Sequence, residues 1–234
     1  MKITILSSDK AGKPGLVAKH SFSLYIERNS ESYLFGLGVE PSVLEVNARI
    51  LEAPLDIVDY AIVSHEHTPH YGGYRYLSQE APYTTVYIPF GSMESLGNTL
   101  RSYGLRPVEV VKWTLINEGV YVSKPYYGPP YEHLLVFSEP KGLVVLTGCL
   151  HPGIGALLDI SKAFNRRIHG LIGGFHLYNA PKDSIKVFAS RIIDEVKPEF
   201  IVPLHCSGGR VIELLKSTGE VDVIEAGTGD VLTI

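Results

Sequence analysis

Two hydrophobic periods alternate along the chain. The opening third carries short β-branched runs, Lys2–Ser7, Ser21–Glu27 and Ser32–Phe35, separated by Gly12-Lys13-Pro14-Gly15 and Arg28-Asn29-Ser30. Such runs between turn residues predict antiparallel strands. Pro41–Glu52 changes to helical spacing, with Val43, Leu44, Ala48 and Leu51 on one face and Pro41 suited to a first turn. A strand over Tyr60–Ser64, a short helix over Tyr74–Gln79, a strand over Thr84–Pro89 and a helix over Ser92–Tyr103 follow.

Val108–Trp113, Gly119–Val122, His133–Phe137 and Leu143–Thr147 form a second block of predicted strands. Ser123–Glu132, between them, is too rich in Pro and Tyr for regular structure. Helices over Ile154–Asn165, Ser184–Val196 and Arg210–Lys216 then alternate with strands over Gly170–Gly173 and Phe200–Leu204. Closing strands are expected near Val221–Ile224 and Val231–Ile234. Blocks of strands followed by alternation, in both halves, predict a layered α/β domain with two sheets inside and helices outside. No linker-like segment interrupts the pattern, so residues 1–234 are expected to form a single domain.

Composition narrows the class. A chain of 234 residues with 45% hydrophobic and 20% charged residues is long enough for a substantial core. The net charge of −4, with both signs interspersed, gives no reason to expect a nucleic-acid or anionic membrane partner. There is no apolar run of the roughly 18 residues a membrane span needs. Met1–Leu6 is too short and strand-like for a signal peptide. Two cysteines, Cys149 and Cys206, make no disulfide framework, and a cytoplasmic location is the expectation.

The chemistry concentrates in Ser64–Gly73, Ser-His-Glu-His-Thr-Pro-His-Tyr-Gly-Gly, which follows the apolar run Tyr60–Val63. Alternation along an extended chain aims His65 and His67 to one side and Glu66 to the other. His70 joins them after a turn supplied by Pro69–Gly73. Three neutral imidazole nitrogens converging on one point suit a zinc-like ion. Of nine histidines, three more also follow predicted strands: His151 after Val144–Leu150, His176 after Leu171–Phe175, and His205 after Phe200–Leu204. Ligands of α/β sheets bind beyond the carboxyl ends of strands. His20, His133 and His169 lack that context and are read as structural or surface groups.

The histidine stretch resembles the Thr-His-x-His-x-Asp-His-x-Gly-Gly signature of the metallo-β-lactamase superfamily. Thr147–Ile154, Gly173–Leu177 and Pro203–Gly208 are similar to one branch, the relatives of the dihydropterin ribofuranosyl-aminobenzene phosphate synthase of methanopterin metabolism. The resemblance spans about residues 20–210 and implies a four-layer αββα sandwich with a metal site. It implies a first metal set of His65, His67 and His151, and a second of His70 and His205, with His176 where many relatives carry a bridging Asp.

Two positions depart from the pattern. The signature's Asp is Pro69, and the relatives' Leu-Phe-Asp-x-Gly is Leu34-Phe35-Gly36-Leu37-Gly38. Neither Pro69 nor Gly36 can ligate or orient a metal ligand. A three-histidine ion with an open position lowers the pKa of bound water from about 15.7 to about 7. One tight metal and a weak or absent second are therefore expected, with zinc favoured over manganese. An uncompensated cation attracts anionic substrates. Lys124 could contact a phosphate, and Tyr71, Tyr126 and Tyr127 could rim the pocket or stack on a flat ring. The bland alternative is a stiff surface loop with its tyrosines packed on its prolines. Cys149 and Cys206, beside His151 and His205, are soft ligands, redox-sensitive thiols or packing residues. No Gly-x-Ser-x-Gly elbow supports a serine hydrolase. The leading expectation is a metal-dependent hydrolase of phosphoester-like or other small anionic substrates. A catalytically altered binding or regulatory member and a pterin-pathway transferase remain as alternatives.

Overall fold

The computed structural model describes residues 1–234, which divide into two compact units. The first comprises Met1–Val111 with Gly227–Ile234, the second Lys112–Ala226.

In the first unit, β1 (Lys2–Ser7), β2 (Ser23–Arg28) and β3 (Glu31–Phe35) pair antiparallel, and β1 also pairs with the chain's last strand, Val231–Thr233. After helix α1 (Pro41–Ile50), strand β4 (Tyr60–Ile62) joins parallel to β3. Helices α2 (Thr68–Tyr71) and α3 (Tyr74–Glu80) precede β5 (Thr85–Ile88), and α4 (Asn98–Ser102) precedes β6 (Arg106–Glu109). β4, β5 and β6 are parallel neighbours, which completes a seven-stranded sheet. Leu44 and Ala48 of α1 and Leu77 of α3 pack with Leu34, Ala61, Val86 and Ile88 of the sheet in one buried cluster. Asn47, buried on the same helix, donates to the carbonyls of Leu6 (2.8 Å) and Val17 (2.9 Å) and accepts from Val17 N–H (2.8 Å). Its amide is satisfied at each of these contacts, as burial requires.

In the second unit, β7 (Thr114–Asn117) and β8 (Val120–Val122) lead into a small hairpin, β9 (Tyr126–Tyr127) with β10 (Tyr131–Glu132). β11 (Leu135–Glu139) and β12 (Gly142–Thr147) follow, then α5 (Ile154–Phe164), β13 (Ile168–Gly173), α6 (Lys182–Arg191), β14 (Phe200–Pro203), α7 (Gly209–Thr218) and β15 (Asp222–Val223). The sheet runs β15-β14-β13-β12-β11-β8-β7, antiparallel from β7 to β12 and parallel from β12 to β15. The last strand, β16, is the Val231–Thr233 segment of the first sheet. Both sheets thus start antiparallel and finish parallel, the physical content of the similarity between halves. Thr147 is level with Gly173, and Gly173 with Pro203, so β12, β13 and β14 end together.

The expected fold class stands as a mixed α/β fold of two large sheets with helices. Several elements differ from their predicted form. Ser123–Glu132 is not irregular throughout, because the Tyr126–Glu132 pairing forms a hairpin. The strand expected over Val108–Trp113 begins earlier, at Arg106, and stops at Glu109. The helices expected over Ser92–Tyr103 and Ser184–Val196 each contain a widened turn. Gly97 N–H bonds to Ser92 O and Lys197 N–H to Ile192 O, both five residues back. No helix is long and apolar enough to cross a membrane.

Candidate metal centre

Each unit carries one histidine cluster at strand ends. In the first unit β4 stops at Ile62, and His65–His67 form a bend in which His67 N–H bonds to His65 O at 3.0 Å. The extended alternation expected there is replaced by this turn, yet it too gathers the rings. The His65 ring centroid lies 4.8 Å from that of His67 and 4.1 Å from that of His70. The expected turn over Pro69–Gly73 begins as the short helix α2, with Pro69 in its first turn, where a missing N–H costs nothing. His65 and His70 are buried and His67 is exposed. Ser64 Oγ lies 3.0 Å from His65 Nδ1, a contact of the kind that orients a ligating imidazole. Glu66 accepts a hydrogen bond from Ser95 Oγ at 2.8 Å.

Backbone contacts hold α2 in place. Phe22 N–H bonds to Pro69 O (3.0 Å) and Leu37 N–H to His70 O (2.8 Å). A Cβ at Gly72 would lie 1.8 Å from Val39 O, so the signature's first glycine is a requirement of close approach. Gly36 has φ +77°, and a Cβ there would meet Phe22 O at 2.4 Å. The aspartate of relatives has no room at this position in the chain as folded.

In the second unit, His151, His176 and His205 follow β12, β13 and β14, whose ends are level. The His151 and His176 ring centroids are 4.5 Å apart. His176 (φ +53°) and His205 (φ +48°) both adopt the left-handed backbone region, as does Leu150 (φ +54°). Non-glycine residues seldom hold this conformation, and it concentrates at functional sites. Cys149 and Cys206 are buried thiols with sulfurs 3.2 Å apart. Ligand atoms of Cys149, His176 and Cys206 all lie within 4.8 Å of one another. The hydrogen bond with Cys149 lowers the Cys206 pKa to about 5, against the opposing effect of burial and with help from His176. The His176 pKa is raised, chiefly by its hydrogen bond with Cys206.

Lys124, the expected phosphate contact, forms an ion pair with Asp159 at 2.9 Å and lies over the Tyr126 ring at 5.3 Å. Tyr126 Oη donates to the same carboxylate at 2.7 Å. That bond joins burial, the larger cause, in pushing the Tyr126 pKa far up, while Lys124 foremost holds that of Asp159 low. Tyr127 is exposed and packs edge-on to Tyr131 at 5.2 Å. Tyr71 packs, partly buried, against the first unit's core.

One residue escaped the sequence reading. Glu132, fully buried, accepts from Thr147 Oγ1 (3.2 Å) and from the backbone N–H groups of Gly148 (3.0 Å), Cys149 (2.9 Å), Leu150 (3.1 Å) and His151 (2.8 Å). Burial pushes its pKa up, and these bonds pull the other way. Its one sequence signal was a carboxylate directly before the buried run His133-Leu134-Leu135.

A divalent transition metal fits the chemistry of these donors. They are imidazoles and thiols without a carboxylate among them, a set that favours nitrogen- and sulfur-preferring ions. The family model described as the metallo-β-lactamase superfamily matches residues 19–176. The chain belongs to this superfamily. Over 91% of its length it is 25% identical to an uncharacterised protein of Methanocaldococcus jannaschii, of which 93% is covered. It is 23% identical to the same organism's 7,8-dihydropterin-6-methyl-4-(β-D-ribofuranosyl)-aminobenzene-5′-phosphate synthase, with 89% of this chain and 88% of the relative covered. A solved structure described as a metal-dependent hydrolase of the β-lactamase superfamily superposes with a TM-score of 0.85 at 27% identity, covering 100% of this chain and 99% of the other. Membership of the metallo-β-lactamase superfamily gives this chain a hydrolase fold and makes divalent metal ions its expected cofactors.

Proposed function

We propose that this metallo-β-lactamase superfamily member is a metal-dependent hydrolase, with zinc as its ion and a phosphoester-like or other small anionic molecule as its substrate. The observation that supports it is six histidines in the segments that follow β4, β12, β13 and β14, in a chain that belongs to this superfamily. In this reading His65, His67 and His151 hold the first ion, and His70, His176 and His205 are available to a weaker second. A divalent ion held by neutral imidazoles activates water as a nucleophile and stabilises developing negative charge. The chain's own contribution is positional. Ser64 orients His65, and the α2 contacts with Phe22 and Leu37 fix His70. We take the two units as one functional domain, since the family model spans the division at Val111.

Metal analysis of the purified protein tests the reading. Zinc is expected at about one equivalent per chain, the ligand arithmetic of a three-histidine site. Hydrolysis of generic phosphodiesters is expected to be lost in His65→Ala and His151→Ala. Protein that neither carries nor takes up a transition metal would sink the proposal. A second reading, a transferase in pterin metabolism, is supported by the similarity to the synthase. A pterin-like chromophore co-purifying with the protein, without phosphodiester turnover, favours it. Metal binding without turnover or ligand favours the regulatory alternative motivated by Pro69 and Gly36.

A further inference from the structure

The buried carboxyl beneath the Thr147–His151 loop is not among the candidate metal ligands. Glu132 accepts from five donors, which belong to five consecutive residues, Thr147 to His151. Successive backbone N–H groups that converge on one point form a nest for an anion. Here the group in the nest is a carboxyl of the chain itself, Glu132. The loop it organises contains the left-handed Leu150 and ends in a candidate ligand, with His151 N–H 2.8 Å from Glu132 Oε2. The hairpin that supplies Glu132 also touches the loop at a second point. A Cβ at Gly128 would come within 2.4 Å of the His151 carbonyl carbon. The Tyr/Pro-rich hairpin therefore clamps the loop by a carboxylate at one end and a side-chain-free contact at the other.

We propose that Glu132 is a positioning residue of the metal centre. It fixes the Thr147–His151 backbone so that the His151 imidazole is presented in its ligating orientation. The inference rests on the proposed function and deepens it. Carboxylates that orient ligands from outside the coordination sphere typically change metal affinity roughly 10- to 100-fold when lost. Glu132 would act in the same way through the main chain rather than through the ring.

The test uses the full chain loaded with zinc, and separately with cobalt, comparing wild type with Glu132→Gln. The amide keeps the volume but turns an N–H₂ group toward a ring of N–H donors. The expected result is zinc affinity weakened roughly 10- to 100-fold by chelator competition, with a changed visible spectrum of the cobalt form reporting altered ligation. A folded Glu132→Gln protein with lowered thermal stability but unchanged zinc affinity and cobalt spectrum overturns the proposal, because a merely structural carboxylate does that. If Glu132→Gln does not fold, Glu132→Asp decides. Its carboxylate is one methylene short of the five donors, so weaker zinc binding supports the inference and wild-type binding overturns it. Wild-type protein that takes up no zinc overturns both the proposed function and this inference. Wild type that binds zinc, with the Glu132 variants its equals, overturns this inference alone.

Discussion

The two histidine clusters are built by different means. In the first unit His65, His67 and His70 sit within six residues, and main-chain contacts hold them: α2 presses its carbonyls against Phe22 and Leu37, with glycines at the points of contact. In the second unit His151, His176 and His205 are far apart in sequence, and three level parallel strands deliver them. There the organising groups are buried side chains, namely Glu132, Cys149 and Cys206. A cluster held by backbone contact tolerates no added atom, whereas one held by polar side chains responds to charge and protonation.

Gly72→Ala strikes the first cluster hardest. A methyl 1.8 Å from Val39 O cannot be relieved by a side-chain rotation, since the obstacle is backbone. Backbone displacement belongs to the class of substitutions that cost more than about 4 kcal/mol. At roughly 2–4 °C per kcal/mol for a chain of this size, the melting temperature of metal-free protein should fall by at least about 8 °C. A thermal melt followed by circular dichroism measures it. A loss of less than about 1 kcal/mol would mean that α2 shifts freely and that backbone contact is not what holds the first cluster.

Next in size is Pro69→Asp. Of the two missing acids, only this one can be restored. Position 36 has φ +77° and the Phe22 carbonyl in the way, whereas position 69 is a first helical turn that many residues accept. If the absent carboxylate is what limits a second ion, bound zinc should rise from about one to about two per chain, as metal analysis of Pro69→Asp beside wild type would read. An unchanged count would place the limitation in the second cluster instead.

These contrasts also explain what was legible in the sequence. Strand positions followed from apolar runs bounded by turn residues, and the six histidines stood out because each follows a strand or its turn. Order within the sheets was less visible, since pairing depends on contacts distant in sequence. The bend at His65–His67 and helix α2 were missed because propensity has little to say about segments of three or four residues fixed by tertiary contacts. The prolines of Ser123–Glu132 argue against regular structure, yet two residues on each side pair. Glu132 was invisible for a different reason. A carboxylate in a polar, tyrosine-rich segment reads as solvated, and nothing local shows that five donors of a loop beginning fifteen residues on converge on it.

The second cluster should respond to pH where the first does not share the chemistry. Cys206 in the folded, metal-free protein titrates at about 5, chiefly because of Cys149, against about 8.5 for an ordinary thiol. A depressed folded pKa contributes stability that is complete above about pH 8.5 and is lost as pH falls through about 5. Cys206→Ser should therefore flatten this part of the stability curve between those limits in denaturant melts. It should also return the His176 titration toward the ordinary value of about 6.5, because Cys206 is the main cause of its rise. Both shifts are read on metal-free protein. A His176 resonance that titrates identically in the two proteins would refute the thiol–imidazole coupling.

The smallest effect separates structure from recognition within the hairpin. Lys124 and Tyr126 both engage Asp159, and the ion pair is nearly half exposed on each side. A pair so placed is worth about 0–1 kcal/mol, and the phenol's bond to the charged carboxylate about 1.5–3 kcal/mol. Lys124→Ala should lower stability by no more than about 1 kcal/mol, and Tyr126→Phe by no more than about 3 kcal/mol. If the pair simply ties the hairpin to α5, KM for an anionic substrate should stay at the wild-type value in both. A rise in KM for Lys124→Ala alone, with stability unchanged, would return Lys124 to the substrate. It would also mean that the ammonium leaves Asp159 when an anion is bound, so that the ion pair marks its resting position. Because Glu132 lies on the same hairpin, the zinc affinity of these variants is the matching control. It should not change, since neither side chain contributes to the five bonds that hold the Thr147–His151 loop.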